Sequence, residues 1–201
     1  MVYGIIQLIN FAHGEVVMIG AMVAFSVIAA LAGSGVPPII IVLLGILAAI
    51  PACALVGYTV ERIAYRPLRN APRLAPLITA IGISIILQHL ALLIWGRNFI
   101  SFPQIFPTKT YHFTDSINSA TVTNVQIVIM LLSMAMMAGL LVLVYKTRIG
   151  IAMRATSQNA QVAGLMGINV NSVISFTFVV GAGLGAMAGV MVGSYYGIAH
   201  Y

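Results

Sequence analysis

Charge is what this sequence has least of. Only 6% of its 201 residues are Asp, Glu, Lys or Arg, where an ordinary soluble domain carries about 25%. Together with 61% hydrophobic residues and a mean hydropathy of +1.09, the shortage excludes a water-soluble fold and places the chain in a lipid bilayer. Acids are the rarest class, three in all: Glu15, Glu61 and Asp115. Cysteine is nearly absent; Cys53 stands alone inside an apolar run, which excludes an internal disulfide framework. No G-x-x-x-x-G-K-[ST] occurs, so a nucleotide-binding loop of that kind is excluded from this chain. A basic n-region is missing too, and no cleavable signal is expected. The nine Lys and Arg give a formal net charge of +6, but they fall in the links between apolar runs. That placement is the chemistry of membrane orientation, not a nucleic-acid footprint.

What the sequence does have is length of apolar chain. Segments 39–60, 74–95, 125–145 and 173–199 are free of Lys, Arg, Asp and Glu. Each is long enough to cross ~30 Å of hydrocarbon at about 1.5 Å per residue. Lipid offers the backbone no hydrogen-bond partner, so runs of this length must be helices; barrel strands would be about half as long and alternate in polarity. The fold class expected is an all-α integral membrane protein, a polytopic transmembrane helix bundle. A further span at 16–32 follows a broken helix near the N-terminus, and the uncharged turn "GSGVPP" at 33–38 separates it from the next. The links then orient the chain. "ERIAYRPLRNAPR" at 61–73 sets Arg62, Arg66, Arg69 and Arg73 against Glu61, a net of +3, and Lys146, Arg148 and Arg154 give +3 again. The long connection 96–124, with Arg97, Lys109 and Asp115, nets only +1. Span parity and charge bias agree in placing 61–73 and 146–154 on the cytoplasmic side.

Three stretches need more than lipid to explain them. "INFAHGEV" at 9–16 puts His13 and Glu15 two positions apart in a region otherwise without charge. Gln88 and His89, near the end of the 74–95 run, are weaker polar candidates, His89 reading as a packed or interfacial histidine. Gly181, Gly185, Gly189, Gly193 and Gly197 recur at every fourth position, with Ala182 and Ala186 alongside, so one helix face is bare and a neighbouring helix can approach it closely. Close packing is the simpler reading of that row; a lining that slides during transport is the other. The third stretch, "RATSQNAQVAGLMGINVNS" at 154–172, is too polar to cross a bilayer and too long for a turn. A short helix capped by Thr156 or Ser157 and ended by Gly167 is expected there, with Ala160, Ala163, Leu165 and Met166 as its apolar patch. It lies at the interface or docks a cytoplasmic partner.

Three longer motifs in order carry a resemblance: "MVYGIIQLINFAHGEVVMIGA", "ERIAYRPLRNAPRLAPLITAIGISIILQ" and "RATSQNAQVAGLMGINVNSVISFTFVVGAGLGAMAGVM". They resemble the LivH-type permease subunit of the branched-chain amino acid ABC importer family, over nearly all the chain except 96–124. The resemblance implies a single permease domain over 1–201, expected to be incomplete, lacking the family's N-terminal start and C-terminal third. It implies a subunit with no enzymatic activity and no cofactor of its own, ATP being bound by partner subunits. Those partners are a second homologous permease, two cytoplasmic ATPases and an extracytoplasmic substrate-binding protein, assembled in the bacterial inner membrane. It further implies that 154–172 is the ATPase-coupling segment, with Arg154, Ala160, Ala163, Leu165, Met166 and Gly167 as its residues.

A polar break at membrane depth is tolerated only where it faces protein or water, and discontinuous helices commonly mark a transport path. Asn10, His13 and Glu15 are therefore expected to point inward as translocation-pathway residues, Glu15 meeting an ammonium group or holding His13 charged. The plainer alternative is that Asn10 and His13 only satisfy freed backbone groups, or that the segment lies at the inner interface. Urea or short amides are the alternative cargo within the family. An intramembrane enzyme using His13 and Glu15 is the alternative outside it, although H-G-E lacks the i, i+4 histidine spacing of a zinc site and no metal is expected.

Overall fold

Five helices are long and apolar enough to cross a membrane. They are α1 (His13–Leu31), α2 (Pro38–Val60) with its π-helical continuation Glu61–Tyr65, α3 (Leu74–Trp95), α4 (Asn124–Lys146) and, after two short helices α5 (Arg148–Gln158) and α6 (Ala160–Leu165), the last span α7 (Val170–Tyr196). The computed structural model of the chain describes residues 10–69, 71–72, 74–97, 100–101, 110–112 and 121–199. Arg73, Lys109, Asp115 and the chain before Asn10, all used in the sequence reading, lie outside the described residues. So does whatever precedes the turn Asn10–Ala12, where a broken helix was expected; from His13 onward the chain is helical.

The helix ends follow from local chemistry. Pro38, lacking an amide hydrogen that would find no partner, opens α2. Thr123 and Gln126 form a reciprocal capping box at the start of α4: the Gln126 amide donates to Thr123 Oγ1 at 3.3 Å and the Thr123 amide to Gln126 Oε1 at 2.9 Å. Thr147 caps α5, Asn159 caps α6 and Asn169 caps α7. Thr156 and Ser157 are not caps. Because Thr147 starts the helix earlier, both lie inside α5 and donate back to the carbonyls of Ala152 and Arg154, each at 2.8 Å. Gly197 also leaves its expected place: at φ +67° it is the left-handed residue that ends α7, so the packing row within the helix is Gly181, Gly185, Gly189 and Gly193, all buried.

The core lies where α1, α2 and α7 meet, around Met22, Ile28, Ala49, Cys53, Ala186 and Val190. Small residues set its spacing. A Cβ on Gly189 would stand 2.1 Å from the carbonyl oxygen of Val17, and one on Gly20 would stand 2.6 Å from Cα of Ala186. Backbone therefore touches backbone between α1 and α7, the geometry that makes van der Waals packing effective where lipid gives no hydrophobic drive. α3 leans on this core through Leu87 and Ala91. α4 buries no side chain and shows Met130, Leu131, Met134 and Met137 outward.

Two short antiparallel ribbons complete the described fold, β1 (Ile100–Ser101) with β4 (Ile198–Ala199) and β2 (Thr110–His112) with β3 (Thr121–Thr123). The first joins the chain leaving α3 to the chain leaving α7, so those two helix ends share a side. At the opposite end the Arg69 guanidinium donates to Asn171 Oδ1, joining the link after Tyr65 to the first turn of α7. The two basic links thus lie at one end of the bundle and the described ends of the 96–124 connection at the other.

Candidate translocation site

The site begins with how the chain enters α1. The His13 amide donates to the Asn10 carbonyl and the Val16 amide to that of Ala12, both at 3.2 Å. His13, Gly14 and Glu15, expected in a non-helical stretch, stand instead in the first helical turn, where a carboxylate is favoured by the positive end of the helix dipole. At about 100° per residue, side chains two apart point to opposite sides. The His13 ring reaches toward α7, with Cε1 3.3 Å from where a Cβ on Gly185 would be. Glu15 faces α3: its Oε1 accepts from Ser84 Oγ and from Gln88 Nε2, each at 2.8 Å. The carboxylate is thus engaged with α3 rather than with His13.

Its neighbours fix the depth of this turn. Ser84 sits at the midpoint of α3 and Gly185 close to the midpoint of α7. Cys53, whose Sγ donates to the Val16 carbonyl at 3.4 Å, lies close to the midpoint of the helix Pro38–Tyr65. His13 and Glu15 therefore stand well inside the apolar zone, where an ionisable group is costly unless it is paired or wet. Glu15 is half-buried and Gln88 exposed, so the cluster opens sideways between α1 and α3. On the other side of α1, Asn10 Oδ1 accepts from the Tyr65 hydroxyl at 2.9 Å. There a cleft of about 10 Å³ is lined by Asn10, His13, Val16, Gly57, Phe178 and Gly181. It has room for about one water molecule and nothing larger. His89, by contrast, is exposed away from the site, its Nδ1 2.9 Å from the Ile85 carbonyl oxygen.

Beneath the site, the base of α2 carries a second polar cluster. Glu61, 0% exposed, pairs with Arg69 through Oε1 and accepts from Ser175 Oγ through Oε2 at 2.5 Å. Burial draws the Arg69 guanidinium below its ordinary value, opposed by the Glu61 charge and reinforced by Arg66. By sequence Glu61 belongs to the basic link 61–73, and neither Tyr65 nor Ser84 carries a pattern that marks it as part of a site. The one signal available was scarcity, since Glu61 is among only three acids. A cavity of about 350 Å³ lined by Tyr58, Arg66, Asn169, Ser172 and Phe176 opens beside this cluster.

The segment after α4 turns sharply. Gly150 leaves space for the carbonyl oxygens of Leu143 and Val144, each 2.3 Å from where its Cβ would be. Arg154 lies over the Tyr145 ring, 5.2 Å from the centroid. Ala160 is exposed, while Ala163 is 4% exposed and packs against its own chain, not outward with the patch. Leu165 at 87% and Met166 at 79% are the most exposed of the large apolar side chains here, which also include Ile149, Ile151 and Val162, and Gly167, at φ +84°, ends the segment.

The family described as branched-chain amino acid transport system / permease component matches residues 1–201. Among curated proteins, the high-affinity branched-chain amino acid transport system permease protein LivH of Salmonella typhimurium is 42% identical over 199 residues, as are LivH of Escherichia coli K12 and the permease protein BraD of Pseudomonas aeruginosa. Each alignment covers 98% of this chain and 65% of the relative, so the chain spans about two thirds of their length. No solved structure matches it significantly. With five helices able to span a membrane and the family match extending over residues 1–201, the chain belongs to the branched-chain amino acid transport permease family.

Proposed function

We propose that the chain forms part of the translocation pathway of an ATP-driven importer of branched-chain amino acids in the bacterial inner membrane. Its partners in that reading are a second homologous permease, two cytoplasmic ATPases that bind the nucleotide, and an extracytoplasmic binding protein that delivers the substrate. The observation that carries it is Glu15, a carboxylate at mid-span, oriented by Ser84 and Gln88 and open toward the side of the bundle. Lipid would penalise that surface, so it faces another protein or a wet path. An anion aimed there suits the ammonium group of a zwitterionic amino acid. At the cytoplasmic end, exposed Leu165 and Met166 form the surface offered to an ATPase, with exposed Arg154, Ala160 and Gly167 in the same segment.

The test compares Glu15→Gln with Glu15→Asp in the full-length permease, reconstituted with its partners in vesicles. Gln keeps the shape and removes the charge, whereas Asp keeps the charge and shortens the reach. Loss of a charge-assisted contact worth about 1.5–3 kcal/mol predicts roughly tenfold or greater loss of uptake for Gln and a smaller loss for Asp. Binding-protein affinity should not change, because it belongs to another subunit. Wild-type uptake by the Gln variant would leave the carboxylate a merely structural role.

Sidedness has its own test. In a Cys53→Ala background, a cysteine at exposed Gln161 in α6 should react with an impermeant thiol reagent only in inverted vesicles, and one at Ser34 only from outside. The reverse pattern would overturn the orientation read from the basic links.

A further inference from the structure

We propose that Tyr65 and Glu61, four residues apart on the π-helical turn at the base of α2, are positioning residues that transmit movement of the cytoplasmic segment 148–169 to Asn10 and the first turn of α1. This rests on the pathway reading of that turn. A π-helical turn departs from the regular ladder, as in the 2.8 Å bond from the Arg66 amide to the Glu61 carbonyl, five residues back. Such turns are frequent at functional sites. Here it holds two buried side chains with different attachments. Glu61 grips the base of α7 through Ser175 and, through Arg69, also Asn171. Tyr65 packs its ring on Phe178, centroids 5.1 Å apart, while its hydroxyl donates to Asn10.

These attachments form a continuous chain of contacts. Only Met166–Asn169 separates α6 from α7, so displacement of α6 is felt first at Asn171 and Ser175. The Glu61–Arg69 pair obliges the π-helical turn to follow. An ion pair whose carboxylate is wholly buried and whose guanidinium is mostly covered is held in a fixed geometry by its directional bonds, as an apolar contact is not, and such a network has discrete arrangements. The Tyr65 hydroxyl bond is then the directional link to Asn10, whose carbonyl seats the His13 amide. If Tyr65 served packing alone, its ring against Phe178 would suffice and the hydroxyl would be dispensable.

Tyr65→Phe removes the hydroxyl and keeps the ring. In the full-length permease assembled with its partners in vesicles, leucine uptake per ATP hydrolysed should fall about fivefold, the size of one lost neutral hydrogen bond, with assembly and the ATP hydrolysis rate maintained. Ser175→Ala, which loosens Glu61 without stranding Arg69, should lower the same ratio. Asn10→Ala combined with Tyr65→Phe should be no worse than Asn10→Ala alone, because both act through one bond. An unchanged ratio in Tyr65→Phe would overturn the proposal, as would failure of that variant to assemble, which would make the hydroxyl structural. Wild-type uptake by Glu15→Gln beside a lowered ratio in Tyr65→Phe would remove Glu15 from the pathway and leave the transmission through Tyr65 standing.

Discussion

Glu61→Ala should cost about 3–5 kcal/mol of stability, the range for removing one partner of a buried ion pair. The carboxylate is wholly buried, and its removal strands a guanidinium that is itself mostly covered, at 18% exposure. Three elements lose their junction together: the π-helical turn, the link carrying Arg69, and the base of α7 with Ser175 and Asn171. Glu61→Gln keeps the shape, can still accept from Arg69 and can donate to the Ser175 hydroxyl, so it should cost about half as much. The decisive comparison is the double variant Glu61→Leu, Arg69→Met. Because the pair's attraction is offset by desolvation, removing both charges should recover most of what Glu61→Ala loses. Detergent unfolding midpoints of the four proteins would show the order. A Glu61→Ala protein as stable as wild type would mean that the cluster is solvated in the membrane.

Gly189→Ala is the second large effect, about 3 kcal/mol or more and the upper part of the range for overpacking. Its new methyl would meet the Val17 carbonyl oxygen at 2.1 Å and the Ala21 amide nitrogen at 2.9 Å. Both obstacles are backbone, so no rotamer change relieves the clash, and α1 must move off α7. The neighbouring Val190 is a poor control, because it is 3% exposed in the same core. Val192, 49% exposed, is the better one: Val192→Leu should leave the folded fraction after extraction unchanged where Gly189→Ala lowers it sharply. Equal behaviour at both sites would remove the close contact between the two helices.

The spans were legible because apolar length in a bilayer leaves only one backbone solution, and α3 begins and ends where its charge-free run does. The row Gly181 to Gly193 was legible as a period of four. Gly20 and Gly57, whose added Cβ atoms would stand 2.6 Å from Ala186 Cα and 2.7 Å from Ala182 Cβ, are absent from that reading, although Gly57 closes a second period-four row of small buried residues, Gly45, Ala49, Cys53 and Gly57. Glu61 was invisible for a different reason. Its neighbours Arg62 and Arg66 give the stretch the composition of a solvated link, while Ser175, which buries it, lies 114 positions away. His13 and Glu15 announced themselves by charge alone; which helix each faces depended on contacts 69 and 73 positions distant for Glu15.

α4 enters no core among the described residues, and its attachments are concentrated at its ends, in the Thr123 cap and the tight turn at Gly150. A helix of that kind can insert as an independent unit but has little within this chain to tell it where to stop rotating about its own axis. Its rotational setting is decided by what comes to lie against Met130, Met134 and Met137, surfaces whose flexible thioethers adapt to irregular neighbours. Packing within the described chain thus fixes α1, α2 and α7 against one another and leaves the setting of α4 to whatever covers its outer face.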